Sequence, residues 1–228
     1  MHNQFLSRAS VFESFVNQIS YHNGKMHQKD VDMIKKRIEN PDISEWFRNI
    51  VFDKPVDIIE LGCSVGHLPV SELLFGNLKI NFWTGYDCDK VAIDIANSMA
   101  VEYNLTDQCK FIHSAVSSHN TTTVYSSSSY LLGERVHDLQ ESEFQQITPN
   151  IYYKDLPYCD ILLVDIEGEE INIDFKQMQY KYCLIETNTP LATSKFLQDY
   201  VLKTDSMYTV LQNYRINDIK NCFLVMKN

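Results

Sequence analysis

Residues 56–66 read Val56-Asp57-Ile58-Ile59-Glu60-Leu61-Gly62-Cys63-Ser64-Val65-Gly66. A β-branched, apolar run reaches an acid, passes through a turn of small residues, and enters the helical pattern of 66–75. A buried strand that turns through glycine directly into a helix is the opening unit of a parallel sheet covered on both faces. Open α/β sheets bind ligands beyond the carboxyl ends of their strands, so the turn at 62–66 is the expected ligand position.

The same alternation of short apolar runs and helical stretches continues downstream. It predicts strands at 79–86, 109–113, 160–165, 182–187 and 220–227, with a further one at 207–213. Helices are predicted at 66–75, 89–103, 169–179 and 190–203. The run 121–127 (TTTVYSS) reads as part of a small side hairpin, and the serine-rich, charged stretch 128–150 as a mobile loop, either a plain surface insertion or a lid. Upstream, 4–20 and 29–50 carry apolar residues at helical spacing, with Asn40-Pro41 breaking the second stretch. The expected organisation is an N-terminal helical extension, 1–50, followed by one α/β domain, 51–228.

At 228 residues, 44% of them hydrophobic, the chain can bury one full α/β core. Its formal charge of −10, with scattered basic residues, opposes the phosphate neutralisation that nucleic-acid binding needs. Nucleic acid and membrane are therefore not expected partners, and a neutral or cationic substrate fits better. The six cysteines form no C-x-x-C pair and fall mostly in strand-like runs, which points to reduced thiols in a cytoplasmic protein. The start, MHNQFLSRAS, lacks a basic segment followed by an apolar core, and no apolar run approaches the roughly 20 residues of a membrane span.

Two acids give the ligand a character. Gly62, Ser64 and Gly66, with Cys63 between them, allow close backbone approach. Glu60 beside that turn would repel the pyrophosphate of a dinucleotide but stabilise a cationic sulfonium ligand and its amino group, which favours S-adenosylmethionine (SAM) over NAD. Asp87, in Thr84-Gly85-Tyr86-Asp87 at the next strand end, is placed to accept two hydrogen bonds from a ribose diol. Cys88 lies beside the expected adenine face, and Asp89 is expected to cap the next helix.

These residues resemble the class I SAM-dependent methyltransferases, and three later segments resemble their FkbM-type group. His113-Ser114-Ala115-Val116 is similar to that group's exit from strand 3, Asp165-Ile166-Glu167-Gly168-Glu169-Glu170 to its D-x-E-G-x-E signature, and Leu184-Ile185-Glu186-Thr187-Asn188 to its strand-5 end. The resemblance covers about 56–228. It implies a Rossmann-like sheet of about seven strands, mostly parallel with an antiparallel C-terminal strand, and a methyl acceptor such as a sugar or natural-product hydroxyl. It also implies a cofactor neighbourhood that includes Ser114 and Asp165. One departure is Leu163, which stands where members commonly carry a lysine two positions before the aspartate.

Asp165 and Glu167, two apart at a strand end, should lean to one side, and strand adjacency would open Glu186 and Asn188 onto the same crevice. Methyl transfer to oxygen needs a held acceptor and a group to take its proton. Asp165 or Glu167 is the expected base or orienting group, with His113 the second candidate. Glu169 and Glu170 fall in the first turn of the predicted helix, where acids favour the dipole without catalytic duty, and His67 reads as a helix-start residue. Metal is not expected; Mg2+ held by Asp165, Glu186 and Asn188 is the alternative these oxygen ligands leave open. Tyr152, Tyr153 and Tyr158 line an acceptor pocket or pack under a loop. The N-terminal helices cover the cofactor site or make a homodimer contact. Competing readings are methylation of a small amine, a non-catalytic SAM-binding scaffold, and an NAD-dependent oxidoreductase, which G-C-S-V-G disfavours because it is not G-x-G-x-x-G.

Overall fold

The computed structural model describes residues 6–22, 28–40, 43–118, 123–126, 135–136, 145–198, 208–215 and 221–228. Three helices come first: α1 (Arg8–Tyr21), α2 (Gln28–Glu39) and α3 (Ile43–Trp46). The α/β alternation follows as β1 (Val56–Leu61), α4 (His67–Phe75), β2 (Ile80–Asp87), α5 (Lys90–Glu102) and β3 (Cys109–His113). Short strands β4 (Ala115–Ser117), β5 (Thr123–Ser126), β6 (Arg135–Val136), β7 (Gln145–Thr148) and β8 (Asn150–Tyr152) lead to β9 (Cys159–Val164) and β10 (Tyr180–Thr187). Helix α6 (Pro190–Phe196) and strands β11 (Tyr208–Arg215) and β12 (Asn221–Lys227) complete the order.

The main sheet has seven strands in the order β11-β12-β10-β9-β1-β2-β3. Every pairing from β10 to β3 is parallel, and β12 runs antiparallel to both β10 and β11. This is the Rossmann-like sheet of seven strands, mostly parallel with an antiparallel C-terminal strand, that the resemblance implied. From β1 the chain passes to β2 on one side and only later returns to β9 on the other. The crevice beyond β1 and β9 is thus the point where strand order reverses, the standard ligand position in such sheets.

Alternation along each strand divides the core in two. Ile58, Trp83, Ile161 and Leu224 face a cluster shared with Val11, Phe15, Ile34 and Ile38 of α1 and α2 and with α5 residues such as Ile95 and Met99. Ile59, Leu162, Cys183, Ile185 and Phe223 face the other cluster, with Phe175 and Phe196 above them. The apolar stripes of α1 and α2 are therefore buried in the same core as the sheet. Among the described residues no helix is long and apolar enough to cross a membrane. All six cysteines are free thiols.

Two expectations change. The stretch 169–179 is not an α-helix: it forms two short 3-10 turns, Glu169–Ile171 and Phe175–Gln177. Gly168 enters at φ 116°, and the Asp174 side chain accepts the Lys176 amide, closing a local turn that competes with helix continuation. Within 128–150, β6 and β7 pair antiparallel with β5, so part of the expected loop is a three-stranded sheet. The rest of that loop, 127–134 and 137–144, lies outside the described residues, as do 199–203 at the end of the predicted last helix.

Candidate functional site

The turn after β1 is held mainly by β2. The Gly62 and Cys63 amides donate to the Tyr86 carbonyl at 2.8 and 3.1 Å, Ser64 N donates to Asp87 Oδ2 at 2.7 Å, and Gly66 N donates to the Cys63 carbonyl at 3.0 Å. These four amides, expected to face the ligand, are instead spent on shaping the turn. Glycine at 62 has a different reason: a Cβ there would sit 1.8 Å from the Asp165 carbonyl oxygen, and φ is 84°. At Gly66, φ is 72° and a Cβ would press on Ala96 at 2.8 Å. Ser64 holds φ 48° without being glycine, an unusual conformation that the Asp87 hydrogen bond stabilises. The Cys63 side chain is buried against Gly85 and supplies packing.

Asp87, at the end of β2, also accepts the Asp89 amide through Oδ1 at 2.9 Å. Two of the roughly four lone-pair positions of its carboxylate remain for a ligand. Burial pushes it up to about 6 in spite of these two bonds. Asp89 caps α5, accepting from Val91 and Ala92. His113 Nε2 lies 3.0 Å from the Cys88 carbonyl and 2.9 Å from the Thr148 hydroxyl, so that nitrogen braces the turn after β2. Ser114 donates its hydroxyl to the carbonyls of Ala115 and Pro149, both at 3.1 Å, and its amide to the Asp87 carbonyl. Cys88 is partly exposed at this turn.

Glu60 is buried, and its Oε2 accepts Trp83 Nε1–H at 3.0 Å. Burial pushes the carboxyl up to about 8, against the pull of the Trp83 bond and the Arg37 charge and with a push from Asp165 and Asp87. Arg37, in the last turn of α2, donates to His67 Nε2 at 2.9 Å. A guanidinium only donates, so His67 is neutral with its proton on Nδ1; burial first, and then the Arg37 charge, hold it well below the usual imidazole range. His67 is the first residue of α4, as its sequence position suggested. Arg37 had no sequence signal beyond a cation in the last turn of an amphipathic helix.

At the ends of β9 and β10, one amide joins two carboxylates. Asn188 Nδ2 donates to Asp165 Oδ1 and to Glu170 Oε1, each at 2.9 Å. Glu170 also accepts Ile166 N at 3.1 Å and Gly168 N at 2.8 Å, which pins the 165–168 turn; burial pushes it up to about 7. With both amide hydrogens given to acids, Asn188 Oδ1 is left buried with no hydrogen-bond partner among the described residues. β9 ends at Val164, and Glu167 lies beyond it at φ 51°. Strand alternation therefore does not set its side relative to Asp165, contrary to the sequence argument. Glu186 lies within β10, paired in register with Cys222, while Asn188 follows the strand end. Leu163 is buried in mid-sheet, paired in register with Glu60 of β1 and Leu184 of β10. The Tyr152 and Tyr153 rings meet edge to face at 4.9 Å, with Tyr153 buried, while Tyr158 is about half exposed. Among the described residues no group of three His, Cys, Asp or Glu side chains is placed to hold a metal ion.

No family model and no curated protein matches the chain. Solved structures do resemble it in fold. An O-methyltransferase from Bacillus cereus in complex with S-adenosylhomocysteine (SAH) superimposes with a TM-score of 0.56 at 10% identity, covering 99% of this chain and 94% of that one. Magnesium protoporphyrin IX methyltransferase from Synechocystis PCC 6803 with bound SAM gives 0.49 at 11% identity over all of both chains. Ribosomal protein L11 methylase from Lactobacillus delbrueckii subsp. bulgaricus gives 0.48 at 10% identity, covering 83% and 79%.

Proposed function

We propose that this protein is a SAM-dependent methyltransferase that methylates a hydroxyl of a small molecule. The observation that carries this reading is the set of acids Glu60, Asp87 and Asp165 at the carboxyl ends of β1, β2 and β9, around the Gly62–Gly66 turn. Burial raises Glu60 and Asp87, and the neighbouring acids add to the rise, a push that a cation relieves and a pyrophosphate worsens. That supports a sulfonium ligand with an ammonium group over a dinucleotide. The O-methyltransferase fold likeness agrees with it.

When bound, SAM supplies an electrophilic methyl group. Glu60 would face its ammonium end, and Asp87 would take the ribose diol with its two remaining lone-pair positions. Asp165, whose Oδ1 is fixed by Asn188, would orient the acceptor hydroxyl and receive its proton. Glu167 is the alternative base on the same turn. His113, with Nε2 committed to Cys88 and Thr148, serves better as a brace than as a base.

Methyl transfer from radiolabelled SAM to small hydroxyl compounds, small amines and RNA, measured side by side, tests this reading. It expects label in an alkali-stable small-molecule ether. Label only in amines or RNA would replace the acceptor class, and SAM binding without turnover on any acceptor would favour a scaffold.

A further inference from the structure

The crossover from β9 to β10 lacks the helix that would normally cover this part of the sheet, and a cavity of about 280 Å3 takes its place. Ile173 and Phe175 from the crossover, Ile185 from β10 and Phe196 from α6 make its apolar walls. That volume lies just under the about 300 Å3 at which small-molecule pockets begin, so a small ligand fits it.

Its polar lining is asymmetric. Asp174 spends its oxygens on the Lys176 amide and the Gln177 side chain, and the Thr187 hydroxyl is shared with Thr193 and the Asn221 carbonyl. Lys195 donates to the Ile171 carbonyl and has no carboxylate within ion-pair reach among the described residues. It therefore offers the cavity a cation with N–H groups to spare. Glu170 closes the other end, its oxygens taking Ile166 N, Gly168 N, Asn188 Nδ2 and its own amide. Through Asn188, Glu170 is also tied to Asp165, whose carbonyl touches the Gly62 turn.

We propose that this cavity binds a small hydroxylated aromatic acid, its ring between Phe175 and Phe196, its carboxylate on Lys195 and its hydroxyl at the end closed by the Glu170–Asn188–Asp165 bridge, where Asp165 takes its proton, and that this compound is the methyl acceptor. Naming it the acceptor rests on the methyltransferase reading; binding itself does not.

The test is calorimetric titration of 4-hydroxybenzoate and its methyl ester into wild type, Lys195→Ala and Ala192→Phe, each protein also being titrated with SAH. Lys195 is exposed, so its variant should fold, and Ala192→Phe fills the cavity. The expected result is 4-hydroxybenzoate binding that weakens about tenfold in Lys195→Ala, with the neutral ester unaffected, and binding lost in Ala192→Phe while SAH still binds. No 4-hydroxybenzoate binding to a wild type that binds SAH, or binding indifferent to both substitutions, overturns the proposal. Binding in the cavity by a protein that ignores SAH would keep the pocket and sink the methyltransferase reading.

Discussion

Asp87 holds the amide of Ser64 at 2.7 Å, so the end of β2 dictates the backbone of the turn after β1. The same carboxylate holds Asp89 N, and one side chain thereby shapes both loops that face the expected ligand. Asp87→Asn leaves a single acceptor oxygen for two amides. It should cost about 1–2 kcal/mol of stability, measured by urea denaturation, as a partly buried amide loses its partner.

Gly62→Ala should be worse. The added Cβ would collide with the Asp165 carbonyl, and alanine disfavours φ 84°. A loss of more than about 2 kcal/mol is expected, with the cofactor crevice disturbed, whereas a soft surface turn would tolerate the change. Denaturation midpoints of the two proteins decide between these.

Much of this architecture was legible in the chain. VDIIEL and CKFIH are strands β1 and β3 over the residues their patterns marked; in β1 nearly continuous burial of β-branched residues leaves little choice of period. The 169–179 segment misled because INIDF carries apolar spacing suited to a helix, while the cost of Gly168 and the local bonding of Asp174 are decided only by what the sheet face offers. In the site, Glu60, Asp87 and Asp165 lie at strand ends as strand counting implied. What strand counting did not reveal was how hydrogen bonds are shared. The turn amides serve Tyr86 and Asp87 in place of a ligand, Asn188 belongs to two acids, and Arg37 arrives from 30 residues upstream of His67. Such pairings depend on tertiary approach and leave no periodic trace.

Phe15 is fully buried against the sheet-side core although it lies in the first helix. Phe15→Ala should cost about 3–5 kcal/mol, as for any large core truncation. Thermal unfolding would register this as a lower midpoint of one cooperative transition. An unchanged midpoint would mean that α1 is a detachable appendage.

Glu60 gives a pH signature. Its folded value of about 8 lies above the ordinary carboxylate range, so between roughly pH 4.5 and 8 the folded chain keeps a proton that the unfolded chain has released. Ligand-free stability should therefore fall as pH rises through that window, by at most about 1.4 kcal/mol per pH unit from this group. Asp87 and Glu170 act in the same direction. Glu60→Gln keeps an acceptor for Trp83 and cannot ionise, so its decline should be shallower. A cationic ligand should ionise Glu60, so SAM binding at pH 7 should release protons from the wild type and fewer from the variant. Calorimetry in buffers of different ionisation enthalpy reads this directly.

The central claim is that the crevice beyond β1, β2 and β9 binds SAM. Calorimetric titration of wild type and Asp87→Ala with SAM and SAH tests it most directly. The account predicts micromolar binding of both ligands by the wild type and its loss in a variant that still folds; a wild type that binds neither ligand would contradict it.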